Sequence, residues 1–191
     1  MATEFELKYA ATAEQLEKIR EAVAGTYTTI SMETTYFDTP SGALSARKWT
    51  LRRRLENGIS VCTLKTPAGG LGRHEWELES DTIQAAIPEL CKLSGLQELA
   101  DLTAEGIIPV CGARFTRRAC LVDQGAAELA LDEGILFGGG RELAFAEAEV
   151  ELKSGEDAAV LAWAQDLAQR FGLTPETKSK FRRALDLAKG E

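Results

Sequence analysis

The 191-residue chain has a single histidine, His74, and four cysteines, Cys62, Cys91, Cys111 and Cys120, with no CxxC spacing among them. One imidazole and scattered thiols do not make a zinc set, and they point to buried free thiols rather than a disulfide framework. A lone histidine also argues against a Ser–His or Cys–His nucleophile pair. No apolar run reaches the ~18 residues of a membrane span, and the N-terminus lacks the charged and apolar regions of a secretory signal. The expectation is a cytoplasmic protein with no membrane partner. A formal net charge of −8 disfavours a general nucleic-acid surface. Any catalysis must therefore draw on carboxylates, lysine, arginine, tyrosine or a metal ion.

What is present is regular patterning over residues 1–191, read as a single domain. Residues 12–24, TAEQLEKIREAVA, carry Leu16, Ile19 and Val23 at helical spacing. Thr12 and Gln15 form a capping box in front and Gly25 follows as a stop, which predicts a helix. Similar stripes predict helices within 80–104, broken at Pro88, across 155–171 and over 176–189.

Between the helices, acids and bases alternate with apolar residues at the strand period. In TEFELKYA, Glu4, Glu6 and Lys8 oppose Phe5, Leu7 and Tyr9. WTLRRRLENGISVCTLKTP reads as a hairpin about Asn57-Gly58, so Arg54 faces Val61, Arg52 faces Thr63 and Thr50 faces Lys65. RHEWELE sets Arg73, Glu75 and Glu77 on one face. Residues 114–134 read as a second hairpin with a three-residue loop at 124–126. That loop puts Arg118 opposite Asp132 and turns Arg117 outward, like Arg53. AEAEVELK places Glu147, Glu149 and Glu151 together.

Five segments thus share one apolar face and one face of mixed charge. The predicted fold is α+β: a closed eight-stranded antiparallel β-barrel, or tunnel, with a polar lumen and helices outside. An open sheet with its charged face in water is the alternative. A lumen of both signs suits a ligand that pairs with both. A polyphosphate carrying Mg²⁺ or Mn²⁺ does so, its oxygens meeting arginine and lysine while carboxylates hold the metal.

These residues also resemble the CYTH family, the triphosphate tunnel metalloenzymes. EFELK, YFDTP, LRRR, TLKTP, RHEWE, ALDEG, EAEVE and KSKF occur in that family's order across nearly the whole chain. The resemblance implies an eight-stranded tunnel that binds a small-molecule triphosphate with divalent metal. It implies metal ligands at Glu4, Glu6 and Asp132, and at two of Glu147, Glu149 and Glu151, with Glu149 and Glu151 favoured. Phosphate-binding roles fall to Lys8, Arg52, Arg54, Lys65, Arg73, Arg118 and Lys180, with Lys178 competing for the last. Glu75 or Glu77 would orient water, and Tyr36 with Lys65 would form an assisting pair. The expected reaction is hydrolysis of inorganic tripolyphosphate to pyrophosphate and phosphate. Thiamine triphosphatase, class IV adenylyl cyclase and a non-catalytic polyphosphate- or nucleotide-binding module are the alternatives. A homodimer is compatible with the sequence, but no interface is legible in it.

Overall fold

Alternation gives the chain its strands, and turn chemistry sets how they pair. The computed structural model describes residues 2–68 and 72–191, with side chains from residue 5 onward. In chain order the elements are β1 (Ala2–Glu4), β2 (Glu6–Ala10), α1 (Ala13–Ala22), β3 (Thr28–Asp38), α2 (Ala43–Ala46), β4 (Thr50–Glu56), β5 (Ile59–Pro67) and β6 (Arg73–Glu79). There follow α3 (Ile83–Ser94), α4 (Glu98–Thr103), β7 (Ile108–Val122), β8 (Ala127–Gly138), β9 (Arg141–Leu152), α5 (Asp157–Phe171), β10 (Thr174–Pro175) and α6 (Lys180–Lys189).

The architecture is α+β, but the expected closed eight-stranded barrel is not found. Ten strands form one antiparallel sheet in the linear order β1–β6–β5–β4–β3–β7–β8–β9–β2–β10, so the hydrogen-bond ladder does not run round a ring of eight. The reason is local, because the expected first strand is two strands. β1 pairs with β6, Glu4 opposite Arg73, whereas β2 pairs with β9, Glu6 opposite Glu151, and the ladder changes sides at Phe5. The other edge of β2 takes the short β10, and the Glu176 N–H donates to the Lys8 carbonyl at 2.8 Å. The sheet still curls strongly. Residues of β2 and β6, distant in its order, line one cavity on the concave face.

The first hairpin has the expected register. Asn57 and Gly58 take φ of 49° and 91°, and Arg52 lies opposite Thr63 and Thr50 opposite Lys65. In the second, Val122 pairs with Ala127 and Arg117, not Arg118, lies opposite Asp132. The loop is four residues, 123–126, because Asp123 and Gln124 adopt left-handed φ of 49° and 57° before Gly125 at 91°. One extra loop residue reverses the parity of the incoming strand.

The convex face is apolar and covered. Leu16 and Ile19 of α1 and Val160, Ala164 and Leu167 of α5 pack on Tyr9, Leu129, Leu131 and Val150. Ile83 and Leu90 of α3, with Leu99 of α4 and Leu44 of α2, pack on Leu51, Cys62, Leu64 and Trp76. Each such buried leucine contributes about 1.5–3 kcal/mol. Pro88 does not break α3. It is exposed, its missing N–H leaves the Gln84 carbonyl beside water, and the helix runs on to Gly95, whose φ of 72° closes it.

The helix α6 lies elsewhere. Ser179 caps it, its hydroxyl accepting from the Arg182 N–H at 3.1 Å, so it starts four residues later than expected. Ala184 and Leu185 join Tyr36, Phe115, Leu136 and Phe145 in a third cluster. A Cβ on Gly138 would meet Ala188 Cβ at 2.8 Å and the Ala184 carbonyl oxygen at 2.9 Å, so α6 is seated directly on β8. Among the described residues all four cysteines are free thiols, and no helix is long and apolar enough to cross a membrane.

Candidate active site

The concave face encloses a cavity of about 510 Å³ lined, among the described residues, by seven acidic and eight basic side chains. That near balance makes charge pairing, rather than net charge, the determinant of what binds. One wall is basic. β4 contributes Arg52 and Arg54, β5 contributes Lys65, and β6 contributes Arg73 beside Glu75 and Glu77. Glu75 ties this wall together, 3.4 Å from Arg52 and 3.1 Å from Lys65.

Arg54 is the least compensated of these cations. It is 7% exposed, its Nε donates to Thr34 Oγ1 at 3.1 Å, and its ion-pair contact with Glu56 is 3.7 Å long. Burial and neighbouring Arg52 push its pKa down to about 10, which leaves it cationic at neutral pH. The Nε of Arg52 is buried with no hydrogen-bond partner among the described residues. Two guanidiniums held so close are relieved when an anion enters between them.

The opposite wall is acidic. Glu6 on β2 lies opposite Glu151 on β9, and Glu151 lies opposite Glu128 on β8. Like charges directly opposite on neighbouring strands are destabilising unless a cation serves both. Lys153 sits 3.0 Å from Glu151 and 3.7 Å from Glu128, and Lys8 sits 3.1 Å from Glu6. Burial draws the Lys8 pKa down, but Glu6 and Glu149 outweigh it and hold the ammonium above its ordinary value.

At the cavity floor, Glu149 and, beneath it, Asp132 and Glu147 bring carboxylate oxygens within 4.8 Å of one another, the spacing of a metal-ligand group. The Lys180 ammonium occupies their midst. It lies 2.7 Å from Asp132 and 2.8 Å from Glu149, and it contacts Glu147. Arg117 forks onto Asp132 at 2.8 and 2.7 Å and touches Glu149, while Arg183 touches Glu147. Three acids are thus matched by three bases. Burial alone would lower the pKa of Lys180, but the three carboxylates hold it above its ordinary value. Burial pushes Glu147 up; Lys180 and Arg183 pull against it, and the like charge of Glu149 keeps it raised. Burial acts the same way on Glu149, but Lys180 and Arg117 hold that carboxyl well below the usual range.

The cavity lining therefore includes Glu6, Lys8, Tyr36, Arg52, Arg54, Lys65, Arg73, Glu75, Glu77, Glu149, Glu151 and Lys180. Tyr36 stacks on Phe181 with ring centroids 5.0 Å apart. Asp132 and Glu147 lie beneath the lining, wholly buried. Arg118 is not in the cavity; it points to the convex side and meets Glu17 of α1 at 3.2 Å. Arg117 takes its place, against the expectation of an outward, solvated side chain. Lys178 pairs with Asp186 at 3.0 Å and lines an adjoining cavity rather than this one. The side chain of Glu4 lies outside the described residues. Arg183 and Lys153 were not anticipated. Lys153 lies two residues beyond Glu151 on the same alternation, so extending that pattern would have found it.

This order of elements and charged face has relatives. The family description "CYTH domain" fits residues 2–185. The chain belongs to the CYTH family. An inorganic triphosphatase from Haemophilus influenzae is 34% identical to this CYTH chain over 127 residues, 63% of the chain and 36% of the relative. The chain thus spans about a third of the length of the curated relative it matches. A Pyrococcus horikoshii structure superposes with a TM-score of 0.69 at 24% identity, covering 96% of this chain and 99% of that one. A Hippeastrum adenylyl-cyclase-like protein with a dominant triphosphatase activity superposes with a TM-score of 0.67 at 20% identity, covering 100% and 97%. At these identities the structures share the fold with this chain.

Proposed function

We propose that this CYTH chain is a divalent-metal-dependent triphosphatase that hydrolyses inorganic tripolyphosphate to pyrophosphate and phosphate. The observation that carries the reading is the pair Arg52 and Arg54, a part-buried and a buried cation on one wall facing a row of carboxylates on the other. The inorganic triphosphatase relative supports it.

The acidic wall fits a hard cation. Glu6 and Glu151 face each other across β2 and β9, with Glu149 next on the same face, and oxygen ligands are what Mg²⁺ or Mn²⁺ takes. Glu6, Glu149 and Glu151 would hold the metal. A bound metal would neutralise phosphate charge and lower the pKa of a coordinated water. Arg52, Arg54, Lys65, Arg73, Lys8 and Arg117 bind and orient the phosphates, and their fixed positions stabilise charge developing on the leaving pyrophosphate. Water adds to the terminal phosphorus as the bridging P–O bond breaks, and that electron pair stays on pyrophosphate. Of the two candidates for orienting the water, Glu77 is the better placed. Glu75 is engaged by Arg52 and Lys65, whereas Glu77 lines the cavity and is exposed enough to pass a proton to solvent. Tyr36, beside Arg52 in the ladder, closes the basic wall.

One observation favours a second reading, an organic triphosphate such as thiamine triphosphate or a nucleoside triphosphate. An adjoining cavity of about 880 Å³, with Tyr9, Leu161 and Leu173 in its lining, shares Lys8, Thr50 and Arg73 with the charged one. The test is phosphate release from tripolyphosphate, thiamine triphosphate and ATP with Mg²⁺, Mn²⁺ or chelator, for the unmodified chain, Glu6→Gln and Arg54→Ala. Metal-dependent release from tripolyphosphate, lost in both variants, is the expected result. Faster release from an organic substrate moves the second reading forward. Tight binding with no release from any of them makes the chain a binding module.

A further inference from the structure

The motif YFDTP contributes Tyr36 to the cavity, yet its aspartate has no part in the proposed chemistry. Asp38 is 2% exposed and points away from the charged cavity into the turn that leads to α2. Its Oδ1 accepts from the N–H groups of Thr39 at 2.8 Å and Leu44 at 2.9 Å. Its Oδ2 accepts from the Ser45 N–H at 3.0 Å and from the Ser45 hydroxyl. The helix α2 has Gly42 at its N-cap and no side-chain cap of its own, so Asp38 supplies from a distance what a capping residue would supply locally.

What this fixes is the exit from α2. Lys48 N–H bonds to Ser45 O at 2.9 Å and Trp49 N–H to Leu44 O at 3.0 Å, which ties the exit to the same two residues that Asp38 holds. Between them Lys48 is forced into a left-handed conformation, φ 59°, which a residue with a Cβ adopts at a cost. In that conformation its carbonyl accepts from Arg73 Nη2 at 2.7 Å. Arg73 lines both the charged cavity and its neighbour, so it stands where the two meet.

We infer that Asp38 is a positioning residue for Arg73: it locks the α2 turn so that the Lys48 carbonyl aims that guanidinium at the phosphate cavity. This rests on the phosphate-binding reading above. An asparagine keeps the size but has one acceptor oxygen, so either the Thr39–Leu44 pair or the Ser45 pair of donors would face an NH₂ group.

The experiment combines isothermal titration of tripolyphosphate in chelator, which needs no turnover, with steady-state kinetics. Asp38→Asn should weaken tripolyphosphate binding roughly tenfold, the scale of one charge-assisted contact, with kcat within about twofold. In an Arg73→Ala background the same substitution should add less than about twofold. Lys48→Gly, which removes the left-handed cost, should restore most of the binding lost in Asp38→Asn. Equal effects of Asp38→Asn with and without Arg73 would overturn the inference. So would unchanged binding in Asp38→Asn. Should Asp38→Asn fail to fold, Ser45→Ala, which removes only the hydroxyl bond, decides the matter by the same two comparisons. Failure of the unmodified chain to bind tripolyphosphate would overturn the phosphate reading itself, and this inference with it.

Discussion

Lys180→Met isolates the charge at the centre of the site. Methionine keeps most of the apolar stem and removes the ammonium, which lies over the rings of Phe115 and Phe145, 5.0 and 5.5 Å from their centroids. Among the described residues, the substitution leaves Asp132, Glu147 and Glu149 in direct contact with just two bases, Arg117 and Arg183, a surplus of one buried negative charge in the cluster. Removing one partner of a buried ion pair costs about 3–5 kcal/mol, because the charge left behind is neither solvated nor matched. With a urea m-value of about 2 kcal/mol/M, the unfolding midpoint should fall by roughly 1.5–2.5 M. Two further readings separate lost charge from lost packing. Glu147 is already raised by burial, so in the variant it takes up a proton more readily when folded than when unfolded. The deficit should therefore narrow as pH falls from 7 towards about 5. Millimolar Mn²⁺ should stabilise the variant more than the unmodified chain, since a divalent cation takes the vacated position. A midpoint shift under about 0.5 M, indifferent to pH and Mn²⁺, would refute the view that this ammonium is the cluster's counter-ion.

Exchanging the neighbours gives a sharper test of the second hairpin. Arg117→Ala should lower activity at least about tenfold, whereas Arg118→Ala, which loses a half-exposed contact with Glu17, should change stability by under ~1 kcal/mol and leave turnover intact. Glu149 is held well below its ordinary 4.5, so it contributes stability that is present above that value and lost as pH falls through its folded value. Glu149→Gln should flatten that acid limb in a pH series of denaturant melts. Gly138→Ala should destabilise by about 1–3 kcal/mol in the same assay, since its methyl would be driven into Ala188 and the Ala184 carbonyl.

Much of the site was legible because two-residue turns leave little freedom. Asn57-Gly58 admits one register, and Arg52, Arg54 and Lys65 follow from it without reference to the rest of the chain. Thr12 and Gln15 announced the start of α1 in the same local way. The second hairpin failed at its loop. Nothing in the side chains of Asp123 and Gln124 compels left-handed backbone, yet both adopt it, and one residue of loop length exchanged Arg118 for Arg117. The closed barrel failed at Phe5, where a continuous alternation conceals a change of pairing partner. Lys180 was legible as a residue of the site but not as the counter-ion of three carboxylates. That role depends on how α6 docks on β8, contacts made by residues nearly fifty positions apart in sequence.

The change of partner at Phe5 also sets an order of assembly. β1 waits for β6, but β2 waits for β9, about 140 residues further along the chain. While the protein is being made, residues 6–10 have no strand to join until nearly four-fifths of it has emerged. Meanwhile both faces of the growing sheet end in unpaired edges. Residues 6–10 are therefore a late clasp, and any chain stalled before Glu147 would leave that strand and its β9 partner edge unpaired.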